Sequence, residues 1–202
     1  MEYFLQGLTM GLAYVAPIGL QNLFVINTAM TQKKSRVILT ALIVIFFDVT
    51  LALACFFGIG AVMERSHTAK LAVLLIGSLI VIYIGVSLIK ADASMQEKNV
   101  NVPIWSVVTT ACVVTWFNPQ ALIDGTMMLG AFRASLPPSA SAIFMWGVVT
   151  ASFLWFSGVS AVITIFSAKF TSKTLKIINV VCGIVVIFYG LKLLLNFISL
   201  VK

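Results

Sequence analysis

Apolar residues in this chain come in long runs, separated by short polar breaks that carry most of the local Lys, Arg, Glu and Asp. A span of the ~30 Å hydrocarbon core takes about 20 mostly apolar residues, so each run reads as a transmembrane helix and each break as a membrane surface. The first run extends from about Tyr3 to Asn27 and ends at Lys33, Lys34 and Arg36; the second extends from about Val37 to Met63 and ends at Glu64 and Arg65. A third fills Leu71 to Ile89. A polar linker then holds Asp92, Glu97 and Lys98 between Lys90 and Pro103. Beyond it, runs cover about Trp105 to Phe132, Ser141 to Phe166 and Leu175 to Ile198, with Pro137 and Pro138 after the first of these. The first run is preceded only by Glu2, is longer than a signal-peptide core and meets its first Lys at position 33, so it is expected to be a retained span. The pattern predicts an all-α integral membrane protein with six transmembrane helices.

Composition removes the alternatives. Of 202 residues, 61% are hydrophobic and 9% charged, whereas soluble domains are about half apolar and a quarter charged, which excludes a water-soluble enzyme. No catalytic residue is therefore sought. The formal charge of +7 reads as membrane topology and not as nucleic-acid binding, because Lys and Arg concentrate on one side of a membrane protein. Lys33, Lys34, Arg36, Lys90, Lys98, Lys169, Lys173 and Lys176 fall on one side; Arg65, Lys70, Arg133, Lys192 and Lys202 fall on the other. That bias puts both termini outside. Cys55, Cys112 and Cys182 stand alone in different runs, and His67 has no second ligand near it, so neither a metal nor a cofactor is expected.

The two halves resemble each other. Residues 70–83, KLAVLLIGSLIVIY, align with residues 176–189, KIINVVCGIVVIFY, matching Lys70 with Lys176, Gly77 with Gly183 and Tyr83 with Tyr189; Ala16-Pro17 similarly faces Asn118-Pro119. Three spans per half is an odd number, so the second copy must enter the membrane from the opposite side, as in transporters built of inverted repeats with a site near the midplane. The expected units are residues 1–90 and 104–202, joined by the linker at 91–103. Pro17 and Pro119 each fall inside a run, where proline removes a backbone hydrogen bond. Spans one and four are thus predicted to be interrupted there, with Gly11 and Gly19 flanking the first break. Polar residues cluster at both: Gln21, Asn22 and Asn27, then Thr115, Asn118, Gln120 and Asp124. A broken helix at membrane depth is tolerated where it is buried in protein or lines a water-filled cavity.

Among the six carboxylates only Asp48 and Asp124 lie deep in apolar sequence. An Asp at the centre of a span costs about 2.5 to 3.5 kcal/mol unless water, partner groups or protonation offset it. No Lys or Arg lies within their own spans to neutralise them. Two such acids facing a cavity would attract a cationic solute or a proton; the plainer alternative is hydrogen-bonded packing between helices. Trp116, beside Asn118-Pro119, could stack on a cation, whereas Tyr14 and Trp155 are expected in the core and Trp105 and Trp146 toward the interfaces.

The segment Ala16-Pro17-Ile18-Gly19-Leu20-Gln21-Asn22 resembles the first-helix signature of the LysE-type lysine and arginine exporters. Val114-Thr115-Trp116-Phe117-Asn118-Pro119, continuing to Asp124, resembles that family's fourth-helix motif, and Phe47-Asp48-Val49 its acidic second-helix position. Residues 151–156, ASFLWF, and 176–179, KIIN, are similar to members of the arginine-exporting branch. The sequence departs at Leu20, where the family usually has a second proline. The resemblance implies a secondary transporter of the bacterial inner membrane that exports basic amino acids on the proton or electrical gradient. Carried over by position, Asp48 and Asp124 would bind the side-chain cation or a proton, and Gln21, Asn22 and Asn118 the amino and carboxylate groups. The expected partners are a small cationic amino acid and the lipid bilayer, with a homodimer allowed by the small residues in the spans. Other readings are an exporter of neutral amino acids, which would need no extra counter-charge, a thiol oxidoreductase, which the unpaired cysteines disfavour, and a membrane assembly protein without transport.

Overall fold

Two of the apolar runs bend at the prolines inside them, Pro17 and Pro119. In a computed structural model, which describes residues 1–17, 19–58, 67–90, 103–166 and 172–201, the first run is two helices: α1 (Glu2–Val15) and α2 (Leu20–Thr31), bent by 76°. Gly19 is extended at the start of α2 (φ −117°, ψ −171°). Leu20 is the first residue of α2, a position where proline's missing N–H would cost nothing, so the departure at Leu20 leaves the restart of the helix intact. The fourth run divides likewise into α5 (Ile104–Trp116) and α6 (Pro119–Gly125), with a bend of 56°. Here the residue before a proline is forced out of the helical region: Asn118 sits at φ −96°, ψ 101° and its side chain accepts from the Gln120 N–H at 3.2 Å, capping α6 with Pro119 in the first turn.

The remaining elements are α3 (Lys34–Phe57), α4 (His67–Lys90), α7 (Ala131–Ser135), α8 (Ser141–Phe166) and α9 (Ser172–Val201). A π-helical turn (Thr126–Gly130) joins α6 to α7, and a 3-10 turn (Pro138–Ala140) leads into α8. All regular structure among the described residues is helical. α8 matches the expected span to the residue. The second span differs: α3 starts three residues before Val37, since Lys34 at its tip can keep its ammonium in the polar interface, and it stops at Phe57 because Gly58 turns the chain at φ +122°, which favours glycine. The π turn was not legible in the fourth run. Residues 91–102 of the linker lie outside the described residues, as do Glu64, Arg65, Lys98 and Lys169 in the loops and the side chains of Lys70, Cys182, Tyr189 and Lys192.

By length and composition, α3 and the helix ending at Phe166 can each cross a membrane, and each bent pair can make one more span. Glycine brings two helix pairs into backbone contact. A Cβ on Gly7 would collide with the Phe144 carbonyl, one on Gly147 with the Phe4 carbonyl, and one on Gly11 would lie 2.7 Å from the Ala151 Cβ, so α1 and α8 cross closely and run parallel. In the second pair, a Cβ on Gly85 would lie 2.6 Å from Ile187 Cγ1, and one on Gly183 would lie 2.7 Å from the Gly85 carbonyl oxygen and near Ile89, so α4 and α9 run antiparallel. α3 is antiparallel to α8, with Asp48 opposite Ser152 and Phe56 opposite Phe144. At the Phe56 end, three rings form a stack: Phe144 lies 5.7 Å from Phe56 and 5.2 Å from Phe132. The Arg133 guanidinium covers Phe56 at 5.9 Å.

Candidate functional site

Asp48 is fully buried midway along α3. A carboxylate there must find donors, since an unsatisfied buried acceptor costs about 1–3 kcal/mol and a charged one more. The Ser152 hydroxyl of α8 donates to Oδ2 at 2.6 Å, and the Gln21 amide of α2 donates to Oδ1 at 3.3 Å. The same Gln21 nitrogen donates to the Thr115 hydroxyl of α5 at 3.0 Å, and Thr115 is itself fully buried. One carboxylate thus ties four helices together, two of them at the breaks. Both of its donors are neutral.

Asn22 closes the first break. Its amide nitrogen donates to the carbonyls of Val15 (3.0 Å) and Pro17 (2.8 Å), backbone groups left open where α1 stops, and its amide oxygen accepts from the Trp155 indole N–H at 2.7 Å. Asn118 does the corresponding work at the second break as the cap of α6. Trp116 is half-buried, packs beside Leu51, Cys55 and Leu122, and donates to the Thr50 hydroxyl at 3.2 Å. Asp124 is half-buried on α6, less enclosed than its apolar setting predicts, and accepts from Gln120 one turn earlier at 2.8 Å. Pro17 is exposed and Gly19 half-buried within the first break.

The structure therefore brings Gln21, Asp48 and Thr115 into one network, with Asn22 and Asn118 holding the two breaks beside it. Asp124 has its own partner. Tyr14, on the last turn of α1, packs its ring against Gly125, the residue after Asp124. The Tyr14 hydroxyl is buried without a hydrogen-bond partner. Sequence reasoning put Tyr14 and Trp155 in the core, and both pack there; the indole bond to Asn22 and the open hydroxyl were missed. Ser152 was missed altogether, because a serine in a helix usually bonds back to the preceding turn and nothing in its spacing points to a partner on another helix. Cys55 is a buried thiol near the Leu122 carbonyl (3.9 Å) and Cys112 is a free, half-buried one. No group of three or more His, Cys, Asp and Glu side chains occurs among the described residues.

The model of the LysE type translocator family matches residues 12–197. The chain belongs to that family. Such membership puts the protein among membrane translocators and outside the enzymes, in agreement with the resemblance read from its motifs. Among curated relatives, it is 30% identical over 198 residues to the arginine exporter protein ArgO of Shigella flexneri, covering 95% of this chain and 93% of the relative. The ArgO protein of Escherichia coli strain K12 gives the same identity and coverage, and that of Salmonella schwarzengrund is 29% identical over 191 residues, or 92% of this chain and 90% of the relative. No solved structure matches the chain.

Proposed function

We propose that this protein is a secondary active exporter of basic amino acids, arginine foremost, in the bacterial cytoplasmic membrane. The observation that carries the proposal is Asp48: a fully buried carboxylate, served among the described residues by the neutral groups of Gln21 and Ser152, where two broken helices meet. An anion so enclosed is a ready counter-charge for a guanidinium, which forms strong paired hydrogen bonds with carboxylates. The relatives named as arginine exporters support the same cargo. The fold supports six spans in two inverted three-helix repeats: parallel α1 and α8 suit spans one and five, antiparallel α4 and α9 suit spans three and six, and both bent pairs fall at the first span of a repeat. Residues 1–90 and 104–202 are then the repeats, with both termini outside.

In this mechanism arginine enters from the cytoplasm and its guanidinium displaces Gln21 from Asp48. Gln21, Thr115, Asn118 and the opened first turn of α2 receive the amino acid's own charged groups, while Trp116 offers a ring face to the cation. Asn22 acts first as the clasp of the break. Asp124 and the free hydroxyl of Tyr14 form a second station, or a proton site that couples export to the gradient, and lysine is accepted where an ammonium can replace the guanidinium. Rocking of one repeat against the other exposes Asp48 to alternate sides.

The test is flux from proteoliposomes loaded with labelled arginine, lysine, threonine or leucine under an imposed gradient. Arginine efflux that Asp48→Asn and Asp124→Asn both diminish supports the reading. Equal fluxes of the neutral amino acids, or arginine efflux untouched by both substitutions, overturn it.

A further inference from the structure

Toward the start of α3, that helix and the end of α8 part to leave a groove of about 300 Å³. Its walls are almost wholly carbon, and Ile38, Leu42 and Ile165 along them are exposed. Four polar residues interrupt that lining: Lys34, Ser157, Ser160 and Thr164. Lys34, the exposed first residue of α3, lies at one end, and Ser160, buried in the wall contributed by α8, has a hydroxyl oxygen with no hydrogen-bond partner. Among the described residues no carboxylate lines the groove. From Lys34 to Leu42 the helix rises about 12 Å, which fits within one leaflet of a ~30 Å hydrocarbon core. Lys34 also belongs to the more basic side of the chain, with Lys33 and Arg36 beside it.

We infer that this groove is a binding site for a single anionic phospholipid. The headgroup phosphate pairs with the Lys34 ammonium, and one acyl chain lies along Ile38, Leu42 and Ile165. The exposed apolar walls and the lysine at their end then each have a partner. A second copy of the chain would bring more positive charge to this side, where Lys33, Lys34 and Arg36 already lie. A zwitterionic lipid brings its own ammonium toward Lys34 and binds less well. This site is separate from the one around Asp48, so its failure would leave the transport proposal standing, and the reverse holds as well.

The full chain is purified in detergent, given phosphatidylglycerol or phosphatidylcholine, and its retained lipid read by native mass spectrometry. The wild type should hold phosphatidylglycerol preferentially, and Lys34→Gln should reduce that retention about fivefold, the weight of one lysine at an anionic surface. Lys33→Gln, outside the groove, should leave it unchanged. Ala41→Phe should fill the groove and expel the lipid; should that variant not fold, Leu42→Trp at the rim serves the same end, with helical circular dichroism and Tm as controls. Equal retention in the wild type and Lys34→Gln, or equal losses in Lys33→Gln and Lys34→Gln, would overturn the proposal. So would cross-linking between subunits through Ile38→Cys, which would show a second copy in the groove.

Discussion

At Asp48, the roles of charge and of hydrogen bonding can be separated. Asparagine is nearly the same size and still presents an oxygen to Ser152, so Asp48→Asn should fold with an unchanged helical spectrum. It should nevertheless lower arginine efflux about tenfold or more, because a hydrogen bond to a charged group is worth about 1.5–3 kcal/mol. Unchanged efflux would make Asp48 a packing residue. Ser152→Ala, by contrast, removes the 2.6 Å donor from a buried carboxylate and should reduce stability by about 1–3 kcal/mol, read as a lower Tm in detergent. The importance of Asp48 was legible from sequence because a carboxylate in an apolar run has few explanations. Its partners were not, since Gln21 and Ser152 lie 27 and 104 positions away, and only folding brings such separations to 3.3 and 2.6 Å.

The breaks and crossings belong to the scale of elements. Pro17 and Pro119 marked both breaks in the sequence, because proline's effect is local and needs no tertiary partner. What seals each break depends on the side chains that return to it. Asn22 satisfies two carbonyls and a tryptophan at once; Asn22→Ala should therefore cost more than Asn118→Ala, which removes one cap worth about 1 kcal/mol. Thermal unfolding of the two variants compares them directly, and equal losses would deny Asn22 its role as clasp. At the α1–α8 crossing, any side chain on Gly7 meets the Phe144 backbone, so Gly7→Leu should lower stability by at least the 1–3 kcal/mol typical of overpacking. Gly158 on the same helix as Phe144 has nothing within 4 Å of a built Cβ, and Gly158→Ala should leave Tm unchanged. Sequence offered no means of telling these two glycines apart.

For the molecule as a whole, the orientation proposed from the distribution of Lys and Arg can be tested directly. With both termini outside, a periplasm-dependent reporter such as alkaline phosphatase fused after Lys202 should be active, and a cysteine at Lys33 should react only with a reagent that reaches the cytoplasm. An inactive fusion with Lys33 labelled from outside would overturn the proposed orientation. Gly183, which the sequence aligns with Gly77, meets Gly85 in space, a contact that an alignment of equivalent positions does not specify.

The sequence by itself determined the solvent, the helical class, the sites of both breaks and the two acids that the bilayer would otherwise exclude, because each follows from the local cost of charge or of a missing hydrogen bond in hydrocarbon. The tertiary structure alone decided which acid is enclosed. Asp48 is surrounded by α2, α5 and α8, whereas Asp124 remains half-buried on α6, and burial of this kind depends on neighbours that only packing selects. The same holds for the bond from Trp155 to Asn22 and for the lysine-tipped groove: each is a relation between helices distant in the chain, and its energy exists only once they meet.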